Sequence, residues 1–97
     1  MAKLIVKHRV ADFDSWKKGF LAHAPERRKS GFTGHLVLRD AGDPNLITCV
    51  LSTTDLTRAK AFLGRPELRE AMSKAGVQGP PDIAFCEDAL EETYSVQ

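Results

Sequence analysis

Residues 3–10 alternate, with Leu4, Val6, His8 and Val10 on one side and Lys3, Ile5, Lys7 and Arg9 on the other. A period of two predicts a strand, here with one apolar face that includes a histidine and one mixed face. The period then lengthens. Phe13, Trp16, Phe20, Leu21 and Ala24 recur three and four apart, which predicts an amphipathic helix. It starts at Asp12 or Asp14, whose carboxylate can accept the free amide hydrogens of a first turn. Pro25 breaks or kinks this helix. It equally suits the opening of a short second piece, Glu26 to Ser30, closed by Gly31.

Phe32 to Arg39 reads as a second strand, followed by the turn-forming run Asp40-Ala-Gly-Asp-Pro-Asn45. The third strand, Leu46 to Ser52, is apolar on nearly both sides, as expected of a central strand covered on both faces. Thr54 or Asp55 caps the next helix, lined by Leu56, Ala59, Phe62 and Leu63 and ended by Gly64. Pro66 opens another, with Leu68, Ala71, Met72 and Ala75 at helical spacing. Gly76 suits the left-handed position after it, with Val77 closing back on Met72. Gly79-Pro80-Pro81 leads into a last strand, Ile83 to Glu87, and an acidic tail follows, read as a loose end or a strand lent to a partner.

The order is β-α-β-β-α-β in a single domain over 1–97, with its core in 3–88 and a tail in 89–97. This predicts an α+β, ferredoxin-like split βαβ fold: a four-stranded antiparallel sheet with strands 1 and 3 central and the helices on one face. The open face is expected to carry Ile5, Lys7 and Arg9, then, by alternation, His35, Val37 and Arg39, and Thr48, Val50 and Ser52. It is half apolar and partly basic. A second copy of the chain is the simplest cover for it.

Size supports that cover. A 97-residue domain buries only about 60–65% of its unfolded surface, so self-association adds core at little cost. Fourteen basic against 13 acidic residues leave a net charge of +1, which gives no electrostatic case for a nucleic-acid partner. Strands 1 and 3 also lack the exposed rings of an RNA-recognition sheet. Cys49 and Cys86 sit among apolar residues and are expected to be buried free thiols in a reducing compartment. The N-terminus is too charged for a signal peptide, and no apolar run approaches the ~18–20 residues that cross a bilayer. The expectation is a cytoplasmic protein with no membrane partner. No Gly-rich phosphate loop, HExxH, CxxC or Gly-x-Ser-x-Gly is present, so no metal site or cofactor is expected.

The string Val10-Ala-Asp-Phe-Asp-Ser-Trp-Lys-Lys-Gly-Phe20 has His8 before it and His23-Ala-Pro-Glu-Arg27-Arg28 after it. With Arg65-Pro-Glu-Leu-Arg-Glu-Ala-Met72 and Gly79-Pro-Pro81, it resembles the dimeric α/β-barrel superfamily. Within it the chain looks like an antibiotic biosynthesis monooxygenase-like domain, of a small bacterial subset mostly without assigned activity. The resemblance covers 3–88. It implies two copies packed sheet against sheet into a closed barrel, with ligands held between helices and sheet. Such domains include cofactor-free oxygenases, haem-degrading enzymes, isomerases and proteins without known catalysis. Lys7 and Arg9 on the shared face would then need carboxylates, waters or an anionic ligand.

His8 is the sharpest candidate for chemistry. An imidazole on an apolar strand face, beneath an aromatic helix face, can move a proton near neutrality; the plainer reading is a core histidine. His23 and Arg27 are the other catalytic candidates, Arg27 as a clamp on a carboxylate or phenolate, against a helix cap and a solvated arginine. Trp16, Phe20 and Phe62 can wall a flat ligand, or simply pack a core. His35, with Arg39 and Lys7, can form an anion site on the open sheet face, or pair charges across an interface. The function expected is a homodimer that binds a small hydrophobic, aromatic or enolic compound and oxygenates or isomerises it without a cofactor. The alternative is a non-catalytic ligand-binding or accessory dimer. A third reading is haem handling with His8 or His23 as axial ligand.

Overall fold

The computed structural model describes residues 1–95, so the last two positions of the tail lie outside the described residues. The elements are β1 (Ala2–Val10), α1 (Phe13–Ala22), α2 (Ala24–Lys29), β2 (Phe32–Arg39), β3 (Leu46–Thr53), α3 (Leu56–Leu63), α4 (Pro66–Lys74) and β4 (Val77–Glu87). Both helical connections come in two pieces, for local reasons. Asp12 caps α1 by accepting from the Ser15 amide at 2.9 Å. His23 ends it, and Pro25 sits in the first turn of α2, where its missing N–H costs nothing. Asp55 caps α3 through the Arg58 amide at 3.1 Å, and Pro66 opens α4. Gly31 and Gly76, after α2 and α4, both have φ of 91°, a conformation that a β-carbon would strain.

The sheet order is β2-β3-β1-β4 with every pair antiparallel, so strands 1 and 3 are central, as expected. The helices cover the face that carries Leu4, Val6 and Val10 of β1 and Ile47, Cys49 and Leu51 of β3, which pack with Trp16, Ala59 and Phe62. Thr53, fully buried, ties the helical entries together. Its hydroxyl donates to the Gly31 carbonyl at 3.0 Å and accepts from the Asp55 amide at 3.1 Å, so its polarity is satisfied inside the core.

Two strands depart from their expected phase. In β2, Phe32 pairs with Thr53 but Gly34 pairs with Ser52, so Thr33 is an extra residue, a β-bulge. One extra residue turns every later side chain to the other face. His35, Val37 and Arg39 therefore stand opposite Leu51, Cys49 and Ile47, on the helix side. The expected anion site of His35, Arg39 and Lys7 on the open face does not form. Gly34, Leu36 and Leu38 take that face instead. The second departure is β4, which begins at Val77 rather than Ile83. Its pairing slips between Lys7–Asp82 and Arg9–Gln78, so Gly79-Pro80-Pro81 bulges opposite His8. An edge strand tolerates those prolines because their missing amides face no partner.

The open face holds Ile5, Val50, Leu36, Leu38 and Ala84, with Lys3, Lys7 and Arg9 spaced along the central strand β1. Arg9 pairs with Asp43, Lys3 with Asp88 at 2.8 Å, and Lys7 stands in register with Asp82. Cys49 is buried as expected, but Cys86 is exposed, because β4 is an edge strand and Cys86 points away from the helices. Residues 88–95 take no regular structure. Among the described residues no helix is long and apolar enough to cross a membrane.

Candidate functional site

The aromatic face of α1 lies over the helix side of β1 and β2. There the rings form a row. His8 meets Trp16 edge-on at 5.5 Å, Trp16 stacks on Phe20 at 4.9 Å, and Phe20 meets His35 edge-on at 4.9 Å. Phe13 adjoins Trp16 at 5.9 Å. The alternation of β1 places His8 at one end of the row. The bulge at Thr33 places His35 at the other.

Cations lie on this row. The Arg27 guanidinium is 3.8 Å from the centre of the Phe20 ring and that of Arg39 4.1 Å from the centre of Phe13, both at cation–π range. Arg27 is only 7% exposed, and its Nη2 donates to the Phe20 carbonyl at 2.7 Å. Burial holds the pKa of Arg27 below its ordinary value. Burial also lowers that of His35, and the nearby charge of Arg27 acts the same way.

His8 is 7% exposed, and its Nδ1 is buried without a hydrogen-bond partner. Burial lowers its pKa from 6.5, outweighing an upward pull from the residue's own backbone, because the charged form loses more hydration than the neutral one. The imidazole is therefore neutral near pH 7, with proton-accepting capacity. Cys49, next along the same layer, has its thiol pushed up to about 12 by burial, against the opposing pull of Arg27. It is a core thiol without nucleophilic character.

Several clefts open around the row. One of about 310 Å³ is lined by Phe13, Trp16, Phe20, His35 and Arg39 among others. One of about 170 Å³ at the β2 edge is lined by Arg27, Arg28, Thr33 and His35. A narrow one of about 60 Å³ joins Trp16, Phe20, His23 and Arg27 to α4. His8 lines none of these; Trp16 stands between it and the open space. Phe62 is elsewhere. It packs edge-on with Phe32 at 5.5 Å and shares a cleft of about 390 Å³ with His23. Of the residues singled out in the sequence, His8, Trp16, Phe20, Arg27 and His35 thus come together, with His23 at the margin and Phe62 apart.

Sequence reading missed Phe13 as a lining residue and placed Arg39, like His35, on the opposite face. Phe13 carried a signal, since it shares the helical face of Trp16 and Phe20; Arg39 was hidden by the bulge. A larger apolar cleft of about 610 Å³ was missed as well. It lies between β1, β4 and α4 and is lined by Val6, Leu68, Met72, Val77, Pro81 and Ile83 among others. The bulged Gly79-Pro80-Pro81 forms one wall. No histidine lines it.

No protein-family model matches the chain, and no curated protein matches it. Solved structures do. A Bordetella bronchiseptica protein, named provisionally as an antibiotic biosynthesis monooxygenase, superposes with a TM-score of 0.76 at 16% identity, over 92% of this chain and 97% of that one. A Deinococcus radiodurans protein, provisionally named likewise, gives 0.70 at 15% identity over 98% and 99%. SnoaB from Streptomyces nogalater, described as a cofactor-independent oxygenase, gives 0.70 at 17% identity over 94% and 97%. Identities this low speak for architecture alone, and the split βαβ sheet with its paired helices over one face is the fold of the antibiotic biosynthesis monooxygenase-like domains.

Proposed function

We propose that the protein is a homodimer that binds a small aromatic or enolic compound between α1 and β2 and oxygenates or isomerises it without a cofactor. The observation that carries this reading is the ring row His8–Trp16–Phe20–His35 beside a cleft of about 310 Å³. Flat ligands stack on such rings, each pair adding about 0.5–1.5 kcal/mol beyond area burial. His8 supplies the base. Neutral at pH 7 and unpartnered at Nδ1, it can take a proton from an enol or an activated carbon. Contact with His8 requires Trp16 to shift aside while the ligand stays stacked on Phe20, with Arg27 or His23 steadying the anion formed.

In the oxygenation, dioxygen is the oxidant. At a methylene flanked by aromatic rings two C–H bonds break, one oxygen atom becomes the ketone, and the other leaves as water. The shared fold with a protein described as a cofactor-independent oxygenase supports this class of reaction. The apolar centre of the open sheet face supports the dimer.

Trp16 is the single tryptophan, so its fluorescence reports on the cleft directly. Titration with 2-naphthol is expected to quench it. Oxygen uptake with anthrone as substrate should fall at least about 100-fold in His8→Gln, the usual loss when a general base is removed. Equal uptake by both proteins would sink the catalytic role of His8. The non-catalytic reading rests on the burial of His8 away from the clefts. It wins if naphthol binds to both proteins and neither consumes oxygen.

A further inference from the structure

We infer that the β2 edge of this site holds an oxyanion seat, built on Arg27, that takes the carboxylate of an aromatic acid. The inference rests on the reading above for the ring of the ligand and goes beyond it in fixing the charge.

Arg27 is a cation without a counter-ion. It sits inside the protein at 7% exposure. The ion pairs among the described residues are Lys3–Asp88, Arg9–Asp43 and Lys29–Glu26, and none includes it. Its hydrogen bond to the Phe20 carbonyl uses one of several guanidinium N–H donors. An unpaired buried charge is costly, and proteins retain one where something pairs with it. Capping the end of α1 does not require a charge, and the Phe20 carbonyl is already approached by the His23 amide at 3.3 Å.

The space beside Arg27 has the chemistry of an anion site. The cleft of about 170 Å³ is lined by Arg27, Arg28, Thr33 and His35 among others, and no carboxylate lines it. Its volume is ample for an oxyanion head. The bulge that creates the phase shift also sets Thr33 and Gly34 at this rim. Stacking on Phe20 fixes the plane of the guanidinium, and a fixed fork is what bidentate carboxylate recognition needs.

The seat and the aromatic cleft share residues. His35 lines both, Phe20 lines the aromatic cleft, and Phe20 and Arg27 together line the narrow cleft beside Trp16. A ring on the Trp16–Phe20 side therefore has its acid group within reach of Arg27.

The test titrates the full chain with 2-naphthoate, 2-naphthamide, 2-naphthol and inorganic phosphate, read by Trp16 fluorescence and, for phosphate, by calorimetry. Naphthoate should bind about tenfold or more tighter than the uncharged amide, as a hydrogen bond to a charged group allows. Arg27→Gln should abolish that preference while leaving amide affinity in place. Arg27→Lys, which keeps the charge without the fork, should reduce it, and Lys29→Gln, exposed and lining none of the clefts, should change it less than about threefold. Equal binding of naphthoate and naphthamide to the wild type overturns the seat and leaves the aromatic reading standing. Failure of all three naphthalenes overturns both. A preference unchanged in Arg27→Gln and Arg27→Lys overturns the assignment to Arg27. Phosphate binding as tight as naphthoate shows that the seat serves a free inorganic anion, against the aromatic acid. The wild-type comparison of acid with amide decides the matter even where a variant fails to fold.

Discussion

At the scale of single residues the decisive feature is polarity held where the core should be dry. His8 lies between Val6 and Val10 on the buried face of β1, and its unpartnered Nδ1 breaks the rule that buried polar atoms are paired. This has a consequence for stability. The folded pKa lies below the unfolded value of 6.5, so the unfolded chain binds the proton more readily. The contribution of neutral His8 is complete above the unfolded pKa and is lost as pH falls below it. Urea midpoints should decline from about pH 7.5 to about pH 5.5, and the slope should be smaller in His8→Gln. His35, shifted in the same direction, leaves a residual slope. Asp12 and Asp43, whose pKa values are lowered from 3.8, act only in more acid solution. An unchanged slope in His8→Gln would show that His8 does not carry the effect. The place of His8 was legible in the sequence because alternation in β1 is clean. The burial of Arg27 was not. Arg27-Arg28-Lys29 reads as a solvated basic turn, and only the packing of the short α2 against Phe20 and β2 turns the first of the three inward and leaves the other two exposed.

At the scale of elements, caps were readable and phase was not. Asp12, Asp55, Pro66, Gly31 and Gly76 act where local chemistry places them, because a cap depends on a few neighbouring residues. The phase of β2 depends on its partner strand. Leu36 and Leu38 are apolar on one side and Val37 on the other, so hydrophobic pattern could not locate the extra residue at Thr33. The early start of β4 was masked in a similar way by Gly79-Pro80-Pro81, which reads as a lead-in yet forms a bulge within the strand. A bulge that sets phase makes a count of residues matter more than their identity. Deleting Thr33 must either turn residues 34–39 over or draw Phe32 out of the core, where it is 5% exposed. The expected loss is about 3 kcal/mol or more, the usual cost of losing a buried phenylalanine. Thr33→Ala, which keeps the count and changes an exposed side chain, should stay within about 0.5 kcal/mol. Equal urea midpoints for the deletion and the substitution would refute the role given to the bulge.

At the scale of the molecule, β2 serves two purposes at once. Its odd residues from His35 onward face α1 and feed the aromatic cleft. Its even residues, Leu36 at 55% exposure and Leu38 at 45%, join Ile5, Val50 and Ala84 on the open sheet face. Apolar side chains so exposed on one face are what the proposed dimer would bury. The charges on that face do not stand alone. Arg9 and Lys3 are paired within the chain to Asp43 and Asp88, and Lys7 has Asp82 in register beside it, so little uncompensated charge enters a seam between two copies. In sedimentation the wild-type chain is expected at twice its 10.7 kDa, with a Tm that rises with protein concentration as mass action requires. Leu38→Asp with Ala84→Asp should give monomers whose Tm no longer depends on concentration. These two exposed side chains lie on the open face and line none of the clefts, so quenching by 2-naphthol should survive in that monomer. Dimers persisting in the double variant would move the interface off this face. Monomers that no longer bind naphthol would instead show that the seam holds β2, an edge strand with one neighbour, in the position the aromatic cleft requires.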